Sequence, residues 1–336
     1  MQRKLSDPNR PPPRLIVLVV LALAGIGAAG LGLWLLNNRS GPLTLSITSW
    51  PGNEYFYLAE QKGLARQEGL NLLVRQYSSL ADQRQAFENG DDQVMATTVP
   101  EAIAVCQETP AKCPLLILVF DESRGSDRLI GRAELSGPAQ LAGRRVGLER
   151  AVLSQYLLLR ALAPTRLRLD DLRLQFDGPV GLVERLRRGD LDAIVTYSPH
   201  DMTLRRDGRF RELFSTAAIP GEVVDVLAVD PELARRAPDQ LRALVHTWWR
   251  AREFARLHRH EALAVMAGRQ QISAEQFIST EAGVRYPGPS EQRQLLSPAG
   301  PLARSLTRLA DLMVSSGRIR RDAPLPRLST DFLAKP

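Results

Sequence analysis

The chain has 336 residues, 44% of them hydrophobic, with 44 basic side chains against 37 acidic ones. That length accommodates two ordinary domains with packed cores. The positive charge is concentrated at the N-terminus, where residues 1–40 hold Arg3, Lys4, Arg10, Arg14 and Arg39 against Asp7 alone, leaving 39 basic and 36 acidic residues beyond. No basic run interleaved with aromatics occurs, which excludes a nucleic-acid partner.

In chain order, residues 1–14 form a basic, proline-rich tail that is expected to stay in the cytoplasm. Residues 15–36, from Leu15 to Leu36, carry no charge and are long enough to cross a bilayer as a helix. Basic residues on the N-terminal side favour export of everything after Asn37, so the segment is expected to anchor the protein in the inner membrane, facing the periplasm. Cleavage at Gly27-Ala28-Ala29, releasing a soluble periplasmic protein, is the alternative. No Cys follows the segment, so lipidation is not expected. Residues 37–42 form a short linker.

From Leu43 onward apolar runs alternate with amphipathic ones. LTLSIT reads as a strand and YLAEQKGLARQEG as one helix ending at Gly69. Strand LNLLVRQY, helix LADQRQAFENG, strand QVMATT, helix VPEAIAVCQ and strand LLILVF follow. The pattern restarts with strand RRVGLE, helix VLSQYLLLRAL, strand LRLQFD, helix GLVERLRRG and strand DAIVTY. This alternation predicts parallel sheets with helical crossovers. After LAVD come long helices without strands, among them DQLRALVHTWWRAREFARLHRH and a segment around LARSLTRLADLMVSSG.

One phrase occurs twice. NGDDQVMATTVPE (89–101) and RGDLDAIVTYSPH (188–200) align without a gap, matching Gly90-Asp91 to Gly189-Asp190, Thr97 to Thr196 and Pro100 to Pro199. Each copy reads as a glycine helix stop, a buried strand, a polar turn and a proline at a helix start. Two such units suggest two lobes whose strand ends face a common cleft, because ligands of open α/β sheets bind outside the carboxyl ends of strands. Between the copies stand the two cysteines, Cys106 and Cys113. In an oxidising compartment they suit a loop-closing disulfide; two buried free thiols are the alternative.

Four stretches, ITSWPGNEYFYLAEQKGLARQEGL, LAGRRVGLE, RRGDLDAIVTYSP and IPGEVVDVLAVD, together resemble the solute-binding proteins of ABC importers, in the branch handling nitrate, sulfonates, taurine and thiamine-pyrimidine precursors. The resemblance covers roughly Leu43 to Gly283. It implies an α/β, two-lobed, hinged periplasmic-binding-protein architecture with a parallel-rich sheet in each lobe. Lobe one would comprise residues 43–122 and, with the C-terminal helices, 223–336; lobe two would comprise 123–222. The chain would cross near Asp121–Ser126 and return through Glu222–Val229. The implied partners are a small-molecule ligand, an ABC permease and its ATPase. A ligand sensor that signals through a separate protein is an alternative, and a pyrimidine-synthesis enzyme on the same fold a weaker one.

Catalysis is not expected. The chain has four histidines, no GxSxG, HExxH or P-loop, and no cysteine-rich motif. No cofactor or metal is expected either. The ligand-contacting candidates are polar residues after strands and at the hinge: Trp50, Asn53, Glu54, Ser78, Ser79, Thr97, Thr98 and Asp121 toward lobe one, Glu149, Ser154, Thr196 and Tyr197 in lobe two, and Glu222 and Asp225 on the return. Trp50 either stacks on a ligand outside the core or caps the sheet end as a core residue; Tyr197 is expected outside the core. Helix N-termini favour anions, but Glu54, Asp121, Glu122, Glu149, Glu222 and Asp225 sit at these turns with only Arg150 among them. That balance favours a pyrimidine- or amine-type nitrogenous ligand over an oxyanion.

Overall fold

The structure, a computed structural model, describes residues 41–317 and 319–334. The anticipated anchor at 15–36 lies outside them, as do the tail and most of the linker. Among the described residues no helix is long and apolar enough to cross a membrane.

The first stretch runs β1 (Leu43–Ile47), α1 (Glu54–Gln61), α2 (Leu64–Gln67), β2 (Leu72–Gln76), α3 (Leu80–Asn89), β3 (Val94–Thr98), α4 (Val99–Glu108) and β4 (Leu115–Ser123). The second runs β5 (Asp127–Arg132), β6 (Arg145–Leu148), α5 (Val152–Leu162), β7 (Arg173–Phe176), α6 (Pro179–Arg188), β8 (Ala193–Tyr197), α7 (Met202–Arg205) and β9 (Phe210–Ser215). The chain then returns as β10 (Val224–Val229), α8 (Pro231–Arg236), α9 (Pro238–Leu257), α10 (Arg259–Arg269), α11 (Ala274–Glu281), β11 (Val284–Arg285), α12 (Pro289–Leu295), α13 (Pro301–Ser315) and β12 (Arg327–Leu328).

These strands make two sheets. One has the order β11-β4-β10-β3-β1-β2 with β12 beside β4, the other β7-β6-β8-β5-β9. Strands β1, β3, β8 and β10 are buried on both faces, which is why they read as continuous apolar runs and not as alternating ones. The sheets are mixed. β1 is parallel to β2 and β3, and β6 to β7 and β8. The two strands that carry the chain into a new sheet, β5 and β10, run antiparallel to both of their neighbours. Strand β5 and its edge partner β9 are absent from the sequence reading because each mixes charged and apolar residues without a clean period.

Two expected helices are broken. The first stops at Gly63, whose φ of 65° is left-handed, and restarts as α2. The long helix after β10 breaks at His258 into α9 and α10. Helix α9 docks Trp248, fully buried, against Phe56 and Phe120 at centroid distances of 4.7 and 5.4 Å. Each such buried ring contributes about 2–3 kcal/mol through the apolar surface it removes from water. Cys106 and Cys113 are disulfide-bonded, tying the last turn of α4 to the approach to β4.

The repeated phrase folds alike through its first half. Gly90 and Gly189 end α3 and α6 with φ of 84° and 85°, and β3 and β8 follow. After the strands the copies part: Pro100 lies in the first turn of α4, whereas Pro199 sits in a turn ahead of α7, which begins only at Met202.

Candidate functional site

The two sheets meet at a cleft with an inner and an outer part. The inner part is a void of about 20 Å³, lined by Thr48, Trp50, Asn53, Leu80, Ala96, Thr97 and Thr98 from the first sheet's side, Asp127, Leu153 and Tyr197 from the second's, and Val223 and Asp225 on the returning chain. A void of that size holds one water-sized group. The outer part is a cavity of about 600 Å³ bordered by Ser49, residues 76–79, Ala81 and Asp82 on one side and by Glu149, Arg150, residues 176–181 and His200 on the other.

The sides touch directly. The Trp50 and Tyr197 rings lie 6.1 Å apart, tilted by 58°. Tyr197 packs edge-on against His200 at 5.0 Å, and His200 Nε2 is 3.0 Å from Ser49 Oγ. Burial holds the His200 imidazole down to about 4, so it is neutral above that range. Farther along, Glu101 at the start of α4 accepts hydrogen bonds from the backbone N–H groups of Val152 and Leu153 at the start of α5.

The turn after β1 shows how local sequence builds the wall. Trp50 is buried and donates from Nε1 to Asp121 Oδ2 at 2.9 Å. Gly52 lies against the same carboxylate, and a Cβ there would collide with it, so SWPGN needs its glycine. Asn53 donates to Thr48 Oγ1 at 3.2 Å.

Five buried polar atoms on the wall of the void have no hydrogen-bond partner: Asn53 Oδ1, Thr97 Oγ1, Thr98 Oγ1, Asp127 Oδ2 and the Tyr197 hydroxyl. An unsatisfied buried polar group costs about 1–3 kcal/mol, so native chains rarely gather several in one place without a use for them. Acid accumulates there too. Asp121 and Asp225 face each other in register on β4 and β10. Burial pushes Asp121 up to about 6, and burial together with the charge of Asp121 pushes Asp225 up. Burial raises Asp127 to about 7 and Glu149 to about 8, with Glu101 and Asp127 adding to the latter. No Lys or Arg lines the void. The buried arginine beside it, Arg128, is held by Asp201 at 2.5 Å and Glu212 at 2.9 Å.

A family model described as NMT1/THI5 like matches residues 50–262. The chain belongs to this family. Among its relatives is the taurine-binding periplasmic protein of Escherichia coli (strain K12), 21% identical over 276 residues, which is 80% of this chain and 83% of the relative. The alkanesulfonate-binding protein of Xanthomonas axonopodis pv. citri bound to MOPS superposes with a TM-score of 0.67 at 16% identity, covering 84% of this chain and 96% of that one. The ligand-binding component of an ABC-type import system from Staphylococcus aureus, with zinc bound, gives 0.67 at 13% identity, covering 88% and 97%. The fold is therefore that of periplasmic binding proteins, and these three proteins are named as binding proteins or a ligand-binding component. Among the described residues no group of three His, Cys, Asp or Glu is placed to hold a metal ion.

Of the residues singled out in the sequence, Trp50, Asn53, Thr97, Thr98, Tyr197 and Asp225 line the void, and Asp121 stands behind Trp50. Trp50 and Tyr197 are core residues, 7% and 9% exposed, which fits the sheet-capping alternative for Trp50 and corrects the expectation that Tyr197 stands outside the core. Each closes the sheet end and faces the void. Ser78, Ser79 and Glu149 border the outer cavity instead. Ser79 caps α3 through the Asp82 N–H, and Ser78 donates to Asp82 Oδ2. Thr196 and Ser154 are buried beside void-lining Tyr197 and Leu153 but do not themselves line the void.

Two of the acids turn away from the cleft. Glu54 turns to Arg269, with contacts of 2.7 and 2.8 Å, and to Gln270. Glu222 turns to Tyr156 and Arg160. Neither lines the void or the outer cavity, because an arginine distant in sequence already neutralises each. The hinge acid Glu122 is likewise engaged by Arg124 and Arg285. Conversely, sequence reasoning missed Asp127. Its signal was an acid opening the strand DRLIGR, and its importance comes only from pairing with Tyr197 across β5 and β8.

Proposed function

We propose that the protein is the solute-binding component of an ABC importer and captures a small, positively charged amine in the interlobe cleft for delivery to a permease. The observation that carries the ligand class is the inner void, where Asp127 and Asp225 stand with unpartnered hydroxyls and no cationic side chain. A primary ammonium is about the size of one water and carries three N–H donors, matching a void that holds one water-sized group. Its charge would be stabilised by Asp127 and Asp225, whose ionised forms burial otherwise disfavours. A nitrate or sulfonate head would be repelled by the ionised form of those same groups. A planar pyrimidine is less well suited, since Trp50 and Tyr197 stand tilted and in contact, not as parallel walls. The tail of the amine would extend toward the outer cavity. Membership in a family of importer-type binding proteins supports the transport role; the walls of the void support the departure toward a cation.

Isothermal titration calorimetry of the full chain with methylammonium, ethanolamine, putrescine, cytosine, nitrate and taurine tests this. At least one simple amine should bind saturably and more tightly than nitrate or cytosine. Asp127→Asn should weaken that amine by roughly 10–100-fold, the scale of one lost charge-assisted contact. Nitrate binding more tightly than every amine would overturn the ligand class.

A further inference from the structure

Helix α5 begins without a local cap. Its N-cap residue is Ala151, which offers no side-chain oxygen to the first N–H groups, whereas α3 carries its own Ser79 cap. The acceptor comes from across the cleft. Glu101, fully buried in the first turn of α4, places Oε1 at 2.5 Å from Val152 N and 3.1 Å from Leu153 N. Its other oxygen, Oε2, has no hydrogen-bond partner and lies 3.7 Å from Arg84 Nε. A helix N-terminus with free N–H groups is a ready anion site. Here the acceptor is a carboxyl side chain of the opposite lobe, which burial raises while Arg84 and the two N–H groups favour its ionised form.

We propose that Glu101 is a specificity-determining residue of the cleft: a tethered carboxylate that occupies the α5 N-terminus, latches the two lobes together, and so closes that position to an oxyanion solute. This rests on the reading of the cleft as a solute site. A tethered carboxylate acts at an effective concentration far above that of any free solute, so nitrate or a sulfonate loses the competition. An amine does not compete for N–H donors and is unaffected. Because Glu101 and α5 belong to different lobes, their contact exists only when the lobes meet, and the same carboxylate favours closure.

The test is anion rescue of the full chain, followed by thermal unfolding with formate, nitrate or methanesulfonate at constant ionic strength. Glu101→Ala should melt below the parent and regain stability saturably with formate or nitrate, at an apparent affinity at least tenfold tighter than any response of the parent. Glu101→Gln, which keeps an acceptor and fills the same volume, should melt closer to the parent and show no rescue. A Glu101→Ala protein with a native circular-dichroism spectrum and no saturable response to any of the three anions overturns the proposal. So does a parent that binds them as tightly as the variant. If Glu101→Ala folds only in formate, the proposal is supported. If neither it nor Glu101→Ser folds even in formate, Glu101 is a structural residue and the proposal falls. Amine titration of the parent reports on the cleft reading separately, since it does not depend on the outcome with Glu101.

Discussion

Buried carboxyl groups at and behind the cleft differ in their partners. Around Glu54, every oxygen is answered: Arg269 takes both, and Gln270 adds a further donor. Around Asp127 and Asp225 no Lys or Arg lines the void, the nearby Arg128 being held by Asp201 and Glu212, and burial raises both groups, as it also raises Glu54. The first arrangement is what a fold needs in order to bury a charge at all. The second costs stability and persists next to unpartnered hydroxyls, an arrangement that fits the proposed ligand site. The difference teaches that acid count near a cleft says little until each acid's counter-ion has been located.

The largest expected effect breaks the answered group. Arg269 and Glu54 are 8% and 0% exposed at their side chains. Removing one partner leaves the other as an uncompensated buried charge, which costs about 3–5 kcal/mol. Arg269→Ala should therefore lower the denaturant midpoint strongly, while the folded fraction still binds the amine with parental affinity. A loss of affinity without loss of stability would place Glu54 in the ligand site after all, and the contrast between the two groups would fail.

An intermediate effect comes from pH acting on Asp127 of the unanswered group and on Glu149 at the outer cavity. Asp127 and Glu149 titrate at about 7 and 8 in the folded protein, above their ordinary values of 3.8 and 4.5. The folded state thus holds protons that the unfolded chain has released, and stability present at low pH is lost as pH rises through 7 and 8. His200, held down to about 4, acts in the opposite sense, but only below its ordinary value of 6.5. Between about pH 6.5 and 8 the carboxyls act alone, and each contributes a slope of up to about 1.4 kcal/mol per pH unit. The ligand-free protein should melt several degrees lower at pH 8 than at pH 6.5, and Asp127→Asn should flatten part of that slope. Amine affinity should run the other way and rise with pH, because the ammonium replaces a proton. A melting temperature that climbs across this window would contradict the assignment.

The contrast also marks what the sequence could reveal. Alternating strands and helices, the two glycine stops at Gly90 and Gly189, and the proline at the start of α4 are local signals, so most elements of both sheets were legible from spacing alone. The polar turns that line the void, Trp50 to Asn53 and Thr97-Thr98 with Tyr197, were legible for the same reason: they follow buried strands. Ion pairing was not. Arg269 lies 215 residues from Glu54, and Arg160 lies 62 from Glu222. No periodicity predicts which distant guanidinium will fold back onto an acid. Asp127 was hidden for the converse reason. It opens a strand recognisable only through its antiparallel partners β8 and β9, and its burial follows from that pairing rather than from its neighbours in sequence.

The smallest expected effect separates an answered acid of the interior from one of the surface. Glu222 accepts from Arg160 and from the Tyr156 hydroxyl, yet its side chain and that of Arg160 remain 22% and 28% exposed. Water screens such a pair, and exposed ion pairs are commonly worth about 0–1 kcal/mol. Glu222→Gln keeps acceptor and donor capacity for Tyr156 and removes only the charge. It should shift the denaturant midpoint by less than Arg269→Ala does and leave amine affinity unchanged, since Glu222 lines neither the void nor the outer cavity. The position carries information because it stands on the returning chain just ahead of β10, one residue from void-lining Val223. If Glu222→Gln weakens the amine tenfold while barely moving stability, the hinge charge reaches the ligand through the field of the cleft, and location beside the void would matter more than pairing. If it moves stability by several kcal/mol, the pair is drier than its exposure implies and belongs with Glu54.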